Sequence, residues 1–287
     1  MAPIVARTRE ELNTAINTLP GKIALVPTMG ALHEGHRSLI GRAGELADSV
    51  VVSIFVNPLQ FGPNEDLDRY PRTFDADLAI CAAEGVAVVF APTLEVMYPV
   101  PNEITISAGR MGTIVEGACR PGHFDGVLTV VLKLFNLVRP DCVLFGEKDA
   151  QQLAVIRRMV TDLALSIEIV GCPTVREPDG LALSSRNRFL APAERATALA
   201  LSRALRAGAS APGPSGALRA ARAVLDEAVK SDPPLELDYL VLVDPATFTP
   251  VPDTFSGTAV LAVAGKVGST HLIDNVIVNL PQADQTR

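Results

Sequence analysis

Five short apolar runs are spaced along the chain up to about residue 172, and helical patterns separate them. The runs are apolar on both faces, which is typical of strands that are buried in a parallel sheet. They are Lys22–Pro27, Val50–Val56, Val86–Ala91, Cys142–Phe145 and Ile167–Gly171. Alternation of strand, helix and strand predicts an α/β fold with a doubly wound parallel sheet. Ligands of such folds bind beyond the carboxyl ends of the strands, so the loops that follow the strands are where chemistry is expected.

Helical patterns occur between these strands and also after them. The clearest, Gly126–Val138, has Asp125 before it as the expected N-cap and Pro140 just beyond its end. Further along, two Ala-rich helical stretches span about Pro192–Ala207 and Ser215–Lys230. The segment between them, GASAPGPSG, is rich in Gly, Pro and Ser, which predicts a flexible connection.

The pattern after Val175 no longer alternates between strand and helix. Three β-patterned runs follow the Ala-rich helices, namely ELDYLVLVD, TAVLAVAGKV and HLIDNVIVNL. We therefore predict two domains, a Rossmann-like domain over residues 1–174 and a smaller C-terminal α+β domain over residues 175–287. The final residues, PQADQTR, are expected to be frayed.

Composition and charge exclude several classes of protein. Hydrophobic residues make up 48% and charged residues 20% of the 287 positions, which is typical of a globular protein. A net charge of -7 without a dense Lys/Arg run argues against a nucleic-acid partner. The N-terminus lacks the basic start and apolar stretch of a signal peptide, and no apolar run is long enough to span a bilayer, so we expect a cytoplasmic protein without a membrane partner. The widely spaced Cys81, Cys119, Cys142 and Cys172 are expected to be reduced and mostly buried.

The first segment with candidate chemistry is PTMGALHEGH, which leaves the first predicted strand, turns at Gly30 and enters a helix. His33 and His36 are three positions apart and therefore share a helix face. A strand end, a glycine and a helix N-terminus can cradle phosphate, and imidazole N–H groups can stabilise the charge that grows between the α- and β-phosphates during nucleotidyl transfer. Two partly exposed helix histidines are the alternative interpretation, about equally supported for an isolated motif; the position after a strand favours function.

The second segment, FGEKDAQQL, also follows a predicted strand. Lys148 can place an ammonium group on a triphosphate, and Asp149 with Gln152 can cap the next helix. The alternative is that Lys148 is a solvated surface residue and that Asp149 only caps. In the third segment, LSSRNRFL, Arg186 can bind phosphate oxygens bidentately while Ser184 and Ser185 donate hydrogen bonds. An N-cap serine beside an exposed arginine is the alternative there.

The fourth and fifth segments offer neutral and basic groups on loops. Asn57 and Gln60, in VNPLQFGPNEDLDRYPRT, could bind the hydroxyls and carboxylate of a small acid, or could only stabilise their loop. Arg120 and His123, in EGACRPGHFDGV, lie on a Gly-rich segment that is interpreted either as a mobile lid or as a simple surface loop.

Together these five segments resemble the pantothenate synthetase family of H-x-G-H nucleotidyltransferases, which are related to class I aminoacyl-tRNA synthetases. The likeness runs from about Lys22 to Arg188 and continues weakly through DYLVLVD and HLIDN. It implies an ATP-dependent ligase that forms a pantoyl adenylate from pantoate, transfers the acyl group to β-alanine, and releases pantothenate, AMP and pyrophosphate. It also implies Mg²⁺ as a cofactor and a homodimer.

The same resemblance assigns roles to individual residues. Lys148, Arg186, His33 and His36 are the expected catalytic residues, with His36 as the general acid, and Gln60 and Gln152 are expected to bind pantoate, Gln60 also lying near β-alanine. The expected ATP site comprises Met29, Gly30, Ala31, Leu32, His33, Glu34, Gly35, His36, Gly146, Glu147, Lys148, Asp149, Val175, Leu183, Ser184, Ser185 and Arg186.

The sequence departs from the family pattern at three places. Ala150 stands where some members have Tyr, and Leu183 stands where others have Met, so packing around the nucleotide is expected to differ. Asp75, Ala76 and Asp77 replace the consecutive aspartates that some members carry near the magnesium. No protein ligand is therefore assigned to Mg²⁺, which is expected to be held by ATP phosphates and water.

Two rival functions are compatible with the same motifs. Another nucleotidyltransferase, such as a nicotinate-mononucleotide adenylyltransferase or a cytidylyltransferase, would share the histidine motif but keep the nucleotide in its product. A non-catalytic nucleotide-binding or scaffold protein would keep the fold without turning over ATP. Release of AMP together with an amide product would exclude both.

Overall fold

The computed structural model describes residues 2–63 and 65–281. They form two compact units: the first runs to Glu147 and includes Val155–Pro173, and the second comprises Lys148–Ala154 and the chain from Thr174 onward. Of the residues expected to be frayed, all but Pro281 lie outside the described part. Within that part, no helix is both long and apolar enough to cross a membrane.

The first unit is built on a parallel sheet with the strand order β1-β4-β3-β2-β5-β6, as far as the described residues show. The strands are β1 (Ile4–Ala6), β2 (Ile23–Thr28), β3 (Ser49–Ile54), β4 (Val88–Phe90), β5 (Cys142–Gly146) and β6 (Glu168–Cys172). The helices are α1 (Arg9–Ile16), α2 (Glu34–Leu46), α3 (Phe74–Ala83), α4 (Leu94–Met97), α5 (Glu116–Cys119), α6 (His123–Val138) and α7 (Ala150–Asp162), whose first turn belongs to the second unit. This order confirms the doubly wound Rossmann-like sheet, with β2 and β3 at its centre.

All eight predicted strands are confirmed, the described residues contain one further strand, and one local expectation, the N-cap of α6, is wrong. The edge strand β1 was not predicted, because three residues are too short to show a periodicity. Asp125 is not the N-cap of α6: the helix begins at His123 and its N-cap is Gly122, with φ +79°. Gly122 can adopt this left-handed conformation without strain, so the helix starts one turn earlier than the apolar pattern. Asp125 instead accepts a hydrogen bond of 2.7 Å from the Ala108 N–H.

The second unit contains an antiparallel sheet with the order β7-β8-β9 and two helices. Its elements are α8 (Pro192–Ala209), α9 (Gly213–Ala228), β7 (Leu235–Val243), β8 (Gly257–Val267) and β9 (Thr270–Leu280). The Ala-rich faces of both helices are buried against this sheet, which confirms a small C-terminal α+β fold.

The flexible connection expected at GASAPGPSG is wrong. Only Ser210–Pro212 lies between the two helices, and the remaining residues of the segment belong to α8 or α9. The small side chains serve packing, because a Cβ atom at Gly208 would collide with the Leu261 side chain of β8. The cysteines agree with expectation: Cys81, Cys142 and Cys172 are buried, Cys119 is exposed, and all four are thiols.

Candidate active site

The turn between β2 and α2 contains two consecutive residues in the left-handed region, Gly30 with φ +82° and Ala31 with φ +51°. Position 30 requires glycine, because a Cβ atom there would lie 3.0 Å from Asp77 Oδ2 and 3.1 Å from Ile54 Cγ2. The reversal brings His33 to the N-cap of α2. A strand end, a tight glycine turn and a helix N-terminus therefore follow one another, as the sequence predicted.

Asp77 of α3 holds this turn in place. Its side chain is buried, and its carboxylate accepts hydrogen bonds from the N–H groups of Leu32 at 2.8 Å and Ala31 at 3.0 Å. The Thr73 hydroxyl donates a third, at 3.1 Å. The carboxylate therefore supplies partners for backbone groups that would otherwise be buried unpaired. Sequence reasoning considered this aspartate only in relation to magnesium and missed its contact with the turn.

The two motif histidines lie together and are oriented by the backbone. Their ring centroids are 4.2 Å apart. His33 Nδ1 accepts from the Gly35 N–H at 3.1 Å, and His36 Nδ1 accepts from the His33 N–H at 3.3 Å. Because a backbone N–H can only donate, the proton of each neutral ring lies on Nε2. The histidines thus cap α2 through Nδ1 and carry a donor on Nε2, so capping and phosphate binding are compatible.

The segment after β5 forms a 3-10 turn, Glu147–Asp149, that continues directly into α7. The Lys148 side chain is 20% exposed and its Nζ lies 3.8 Å from Asp149 Oδ1, which argues against a fully solvated lysine. The Lys148 carbonyl accepts a 2.7 Å hydrogen bond from Asn275 Nδ2 of β9. The second unit therefore fixes the backbone at this lysine.

The LSSRNRFL segment forms a 3-10 turn over Ser185–Phe189. Ser184 is its N-cap and accepts from the Arg186 N–H at 3.3 Å, so the capping interpretation of this serine is confirmed. Asn187 is buried and donates to the Ala182 carbonyl at 3.0 Å. The Leu183 N–H donates to the Val175 carbonyl at 3.0 Å, which brings together two residues assigned to the nucleotide.

Asn57 is a buried structural amide whose two ends are distinguished by their partners. Its Oδ1 accepts from the Leu59 N–H at 3.4 Å and from the Tyr98 hydroxyl at 2.9 Å. Its Nδ2 donates to the Gly126 carbonyl at 3.1 Å. Burial raises the pKa of Tyr98 to about 12, so its hydroxyl remains a donor at neutral pH. Asn57 stabilises its loop, and Tyr98 is a supporting residue that no motif indicated.

Gln60 is oriented by Asn57 in turn. Its Oε1 accepts from Asn57 Nδ2 at 3.1 Å, and its Nε2 lies 3.3 Å from Met29 Sδ. The amide NH₂ of Gln60 is thereby directed toward the turn that begins the histidine motif. Within the first unit, the structure therefore brings together Met29, Gln60 and the loop of the fourth segment.

Arg120 and His123 are both partnered within the first unit. Arg120 forms a bidentate ion pair with Glu65, and His123 Nδ1 lies 2.8 Å from the Gln60 carbonyl oxygen. His123 is buried, and the Arg120 side chain is 18% exposed. These contacts tie the fifth segment to the fourth.

Comparison with known proteins identifies the family. The family model described as pantoate–β-alanine ligase matches residues 4–277. The chain belongs to this family. A pantothenate synthetase from Thermobifida fusca (strain YX) is 63% identical over 286 residues, which cover 97% of this chain and 96% of that protein.

Solved structures from the same family have the same fold. Pantothenate synthetase from Thermus thermophilus is 46% identical, with a TM-score of 0.89 over 95% of this chain and 98% of that chain. Pantoate–β-alanine ligase from Francisella tularensis, solved in complex with β-γ ATP and β-alanine, is 36% identical, with a TM-score of 0.79 over 96% and 98% of the two chains. The family, the fold class and a ligase activity expected from the sequence are thus confirmed.

Proposed function

We propose that the protein makes pantothenate from pantoate, β-alanine and ATP in two steps. The pantoate carboxylate attacks the α-phosphorus of ATP, which forms pantoyl adenylate and releases pyrophosphate. The amine of β-alanine then attacks the acyl carbon and releases AMP. Neither step needs a nucleophile from the protein, since binding and orienting the reactants can supply much of the acceleration.

The observation that carries this proposal is the geometry of the histidine turn. His33 and His36 are 4.2 Å apart at the N-terminus of α2, and each is held so that its donor is Nε2–H. Such donors, together with the positive end of the helix dipole, match the negative charge that grows on the leaving pyrophosphate. We assign both histidines as phosphate ligands that donate from Nε2–H, so that His36 acts as a hydrogen-bond donor rather than as the general acid that the resemblance implies.

Lys148 and Arg186 are assigned to the ATP phosphates. An ammonium group and a planar guanidinium can neutralise triphosphate charge, and the guanidinium can bind two oxygens at once. The backbone of each is fixed, at Lys148 by Asn275 and at Arg186 by the Ser184 cap. Val175 and Leu183 are assigned to the adenine because they are apolar and adjacent through their backbone bond.

Gln60 and Gln152 are assigned to pantoate. A neutral amide can donate to a carboxylate and accept from a hydroxyl, and pantoate carries both groups. For Gln60 the orientation supports this role, because its NH₂ is the end turned away from Asn57.

Magnesium, the homodimer and the cytoplasmic location belong to the same proposal. The structure shows no group of three or more metal-ligating side chains among its described residues, and Asp77 is engaged with the histidine turn. We assign Mg²⁺ to the ATP phosphates and water, in keeping with its reluctance to lose its hydration shell. The homodimer rests on the family resemblance, and light scattering of the purified protein tests it.

Product analysis tests the reaction. Over many turnovers, AMP and pyrophosphate should accumulate only when pantoate, β-alanine and Mg²⁺ are all supplied with ATP, and pantothenate should form in equal amount. ADP and phosphate as products would contradict an adenylate mechanism. A nucleotide retained in the organic product would instead indicate another nucleotidyltransferase, and no ATP turnover would indicate a binding protein.

A further inference from the structure

The backbone of Gln60 is held by two side chains that lie more than fifty residues away along the chain. The Gln60 carbonyl oxygen accepts from His123 Nδ1 at 2.8 Å and from Arg120 Nη2 at 3.4 Å. Arg120 also contacts His123 Nε2 through Nη1 at 3.0 Å. Glu65 fixes the guanidinium with hydrogen bonds of 2.6 and 2.9 Å. His123 is therefore in contact with an arginine on one side and a carbonyl on the other.

These two contacts define a single tautomer of His123. A guanidinium has only donors, so His123 Nε2 must accept from Arg120. A carbonyl oxygen has only lone pairs, so His123 Nδ1 must donate to Gln60. Both requirements are met by the neutral ring with its proton on Nδ1, and by no other form of the ring.

The position of the Gln60 amide therefore has two independent supports. Asn57 orients the side-chain end, while His123 fixes the main-chain end of the same residue. Helix α6 also packs closely against this turn at Gly126, where a Cβ atom would collide with the Leu59 carbonyl next to Gln60. A small displacement of this turn would move the amide that meets the substrate, and misplacement by about 1 Å is costly in an active site.

We propose that His123 is a positioning residue for the acid substrate, acting through the Gln60 carbonyl with its tautomer set by Arg120. The proposal rests on the assignment of Gln60 to pantoate under the proposed function. His123 itself touches no reacting atom in this scheme. Its effect should therefore fall on the binding of the carboxylic acid and not on that of ATP.

Two substitutions of nearly equal shape test this role. His123→Asn keeps a side-chain N–H near the position of Nδ1, whereas His123→Leu has the same branching and no donor. We expect His123→Leu to raise the KM for pantoate about tenfold, the effect of losing one well-formed hydrogen bond. The KM of His123→Asn for pantoate should remain within about threefold of the value for the parent protein. The KM for ATP should be unchanged in both, and melting temperatures report whether each variant is folded.

A double-mutant cycle separates this proposal from the assignment on which it depends. If His123 acts through Gln60, His123→Leu should have little further effect on the pantoate KM in a Gln60→Ala background. An equal additional effect in that background would overturn the proposal while leaving the function intact. If Gln60→Ala alone leaves pantoate binding unchanged, the assignment of Gln60 is wrong and the proposal falls with it. If the parent protein does not use pantoate at all, the proposed function fails first.

The tautomer can be measured without any substitution. The protein has four histidines, so ¹⁵N labelling of histidine gives a small set of ring signals, and His123→Asn assigns the one in question. We expect a protonated Nδ1 and an unprotonated Nε2 for His123 near neutral pH. A ring protonated on Nε2, or on both nitrogens, would overturn the proposal even if His123→Leu does not fold. Equal loss of pantoate and ATP binding in a folded His123→Leu variant would also overturn it.

Discussion

At the scale of single residues, Asp77 is the side chain on which the histidine turn most depends. It is the buried acceptor for two consecutive N–H groups in a turn that contains two left-handed residues. It lies outside the five segments with candidate chemistry, and it is more than forty positions from the turn in the chain. Its role follows only from the packing of α3 against that turn, which sequence patterns do not encode.

We expect Asp77→Asn to destabilise the protein by about 1–3 kcal/mol, because the amide NH₂ would face a backbone N–H donor. Pantoate-dependent exchange of pyrophosphate into ATP should slow as well, since the turn carries both histidines. Urea unfolding and the exchange rate measure the two effects. Asp75→Asn is the matched control, because Asp75 lies on the same helix and is exposed. Equal behaviour of the two variants would contradict the role of Asp77.

Tyr98 gives a prediction for alkaline pH. Burial raises the pKa of Tyr98 from 10.0 to about 12 in the folded protein, so folding favours the protonated hydroxyl. This contribution to the free energy of unfolding is complete below about pH 10 and is lost as the pH rises toward about 12. At neutral pH, Tyr98→Phe should lose about 1 kcal/mol with the hydrogen bond to Asn57.

Comparing the free energies of unfolding of the parent protein and Tyr98→Phe, at neutral pH and above about pH 10, isolates the contribution of Tyr98. The stability difference should be largest near neutral pH and should shrink above about pH 10, because only the parent protein contains the Tyr98 phenol, whose ionisation favours unfolding there. Burial also raises the pKa of Cys81 to about 11, with the charge of Asp77 as a smaller cause. That thiol is present in both proteins, so its titration cancels. A stability difference that grows with pH would contradict the raised pKa of Tyr98.

At the scale of elements, the approach of α6 to the Pro58–Gln60 turn is the contact most sensitive to side-chain size. Gly126→Ala would drive a methyl group into the Leu59 carbonyl. We expect a loss of about 1–3 kcal/mol from this overpacking, and a higher KM for pantoate because Gln60 belongs to the displaced turn. Gly41→Ala, on an exposed face of α2 with no atom within 4 Å of the new Cβ, should be neutral or slightly stabilising. Urea unfolding of both variants measures the contrast.

Elements were predictable where a single physical pattern dominates. The central strands of the first unit are apolar on both faces, and the sequence shows this directly. The start of α6 was not predictable from apolar spacing, because Gly122 initiates the helix through its backbone conformation. The end of α8 was not predictable either, because Gly, Pro and Ser are typical of loops. In this helix, Gly208 instead allows close packing against β8.

At the scale of the whole molecule, the motif residues could be located from the sequence because they follow strands. The side chains that orient them could not. Gln60 and the histidines were located by position after β3 and β2. Tyr98 and the bond between Asn275 and Lys148 are contacts made across long stretches of sequence. A sequence without an alignment offers no signal for such pairs. The resemblance supplied roles for the motif residues, and the structure supplied the side chains that orient them.

The assignment of His36 and Lys148 to one chemical step leads to the last prediction. Both side chains are assigned to the departing pyrophosphate. His36→Ala and Lys148→Ala should therefore each slow pantoate-dependent pyrophosphate exchange, measured without β-alanine, by roughly 10²–10³-fold. Attack of β-alanine on supplied pantoyl adenylate should suffer less, because pyrophosphate has already left.

Matched substitutions separate this effect from a loss of folding. Lys230→Ala changes an exposed lysine of the second unit and should leave both half-reactions unchanged. If His36 and Lys148 only maintain the fold, their variants should lose melting temperature and both half-reactions together. If they act on pyrophosphate, exchange should fall while melting temperature and aminolysis largely persist. Equal loss of both half-reactions in well-folded variants, or exchange that proceeds without pantoate, would contradict the roles assigned to these two side chains.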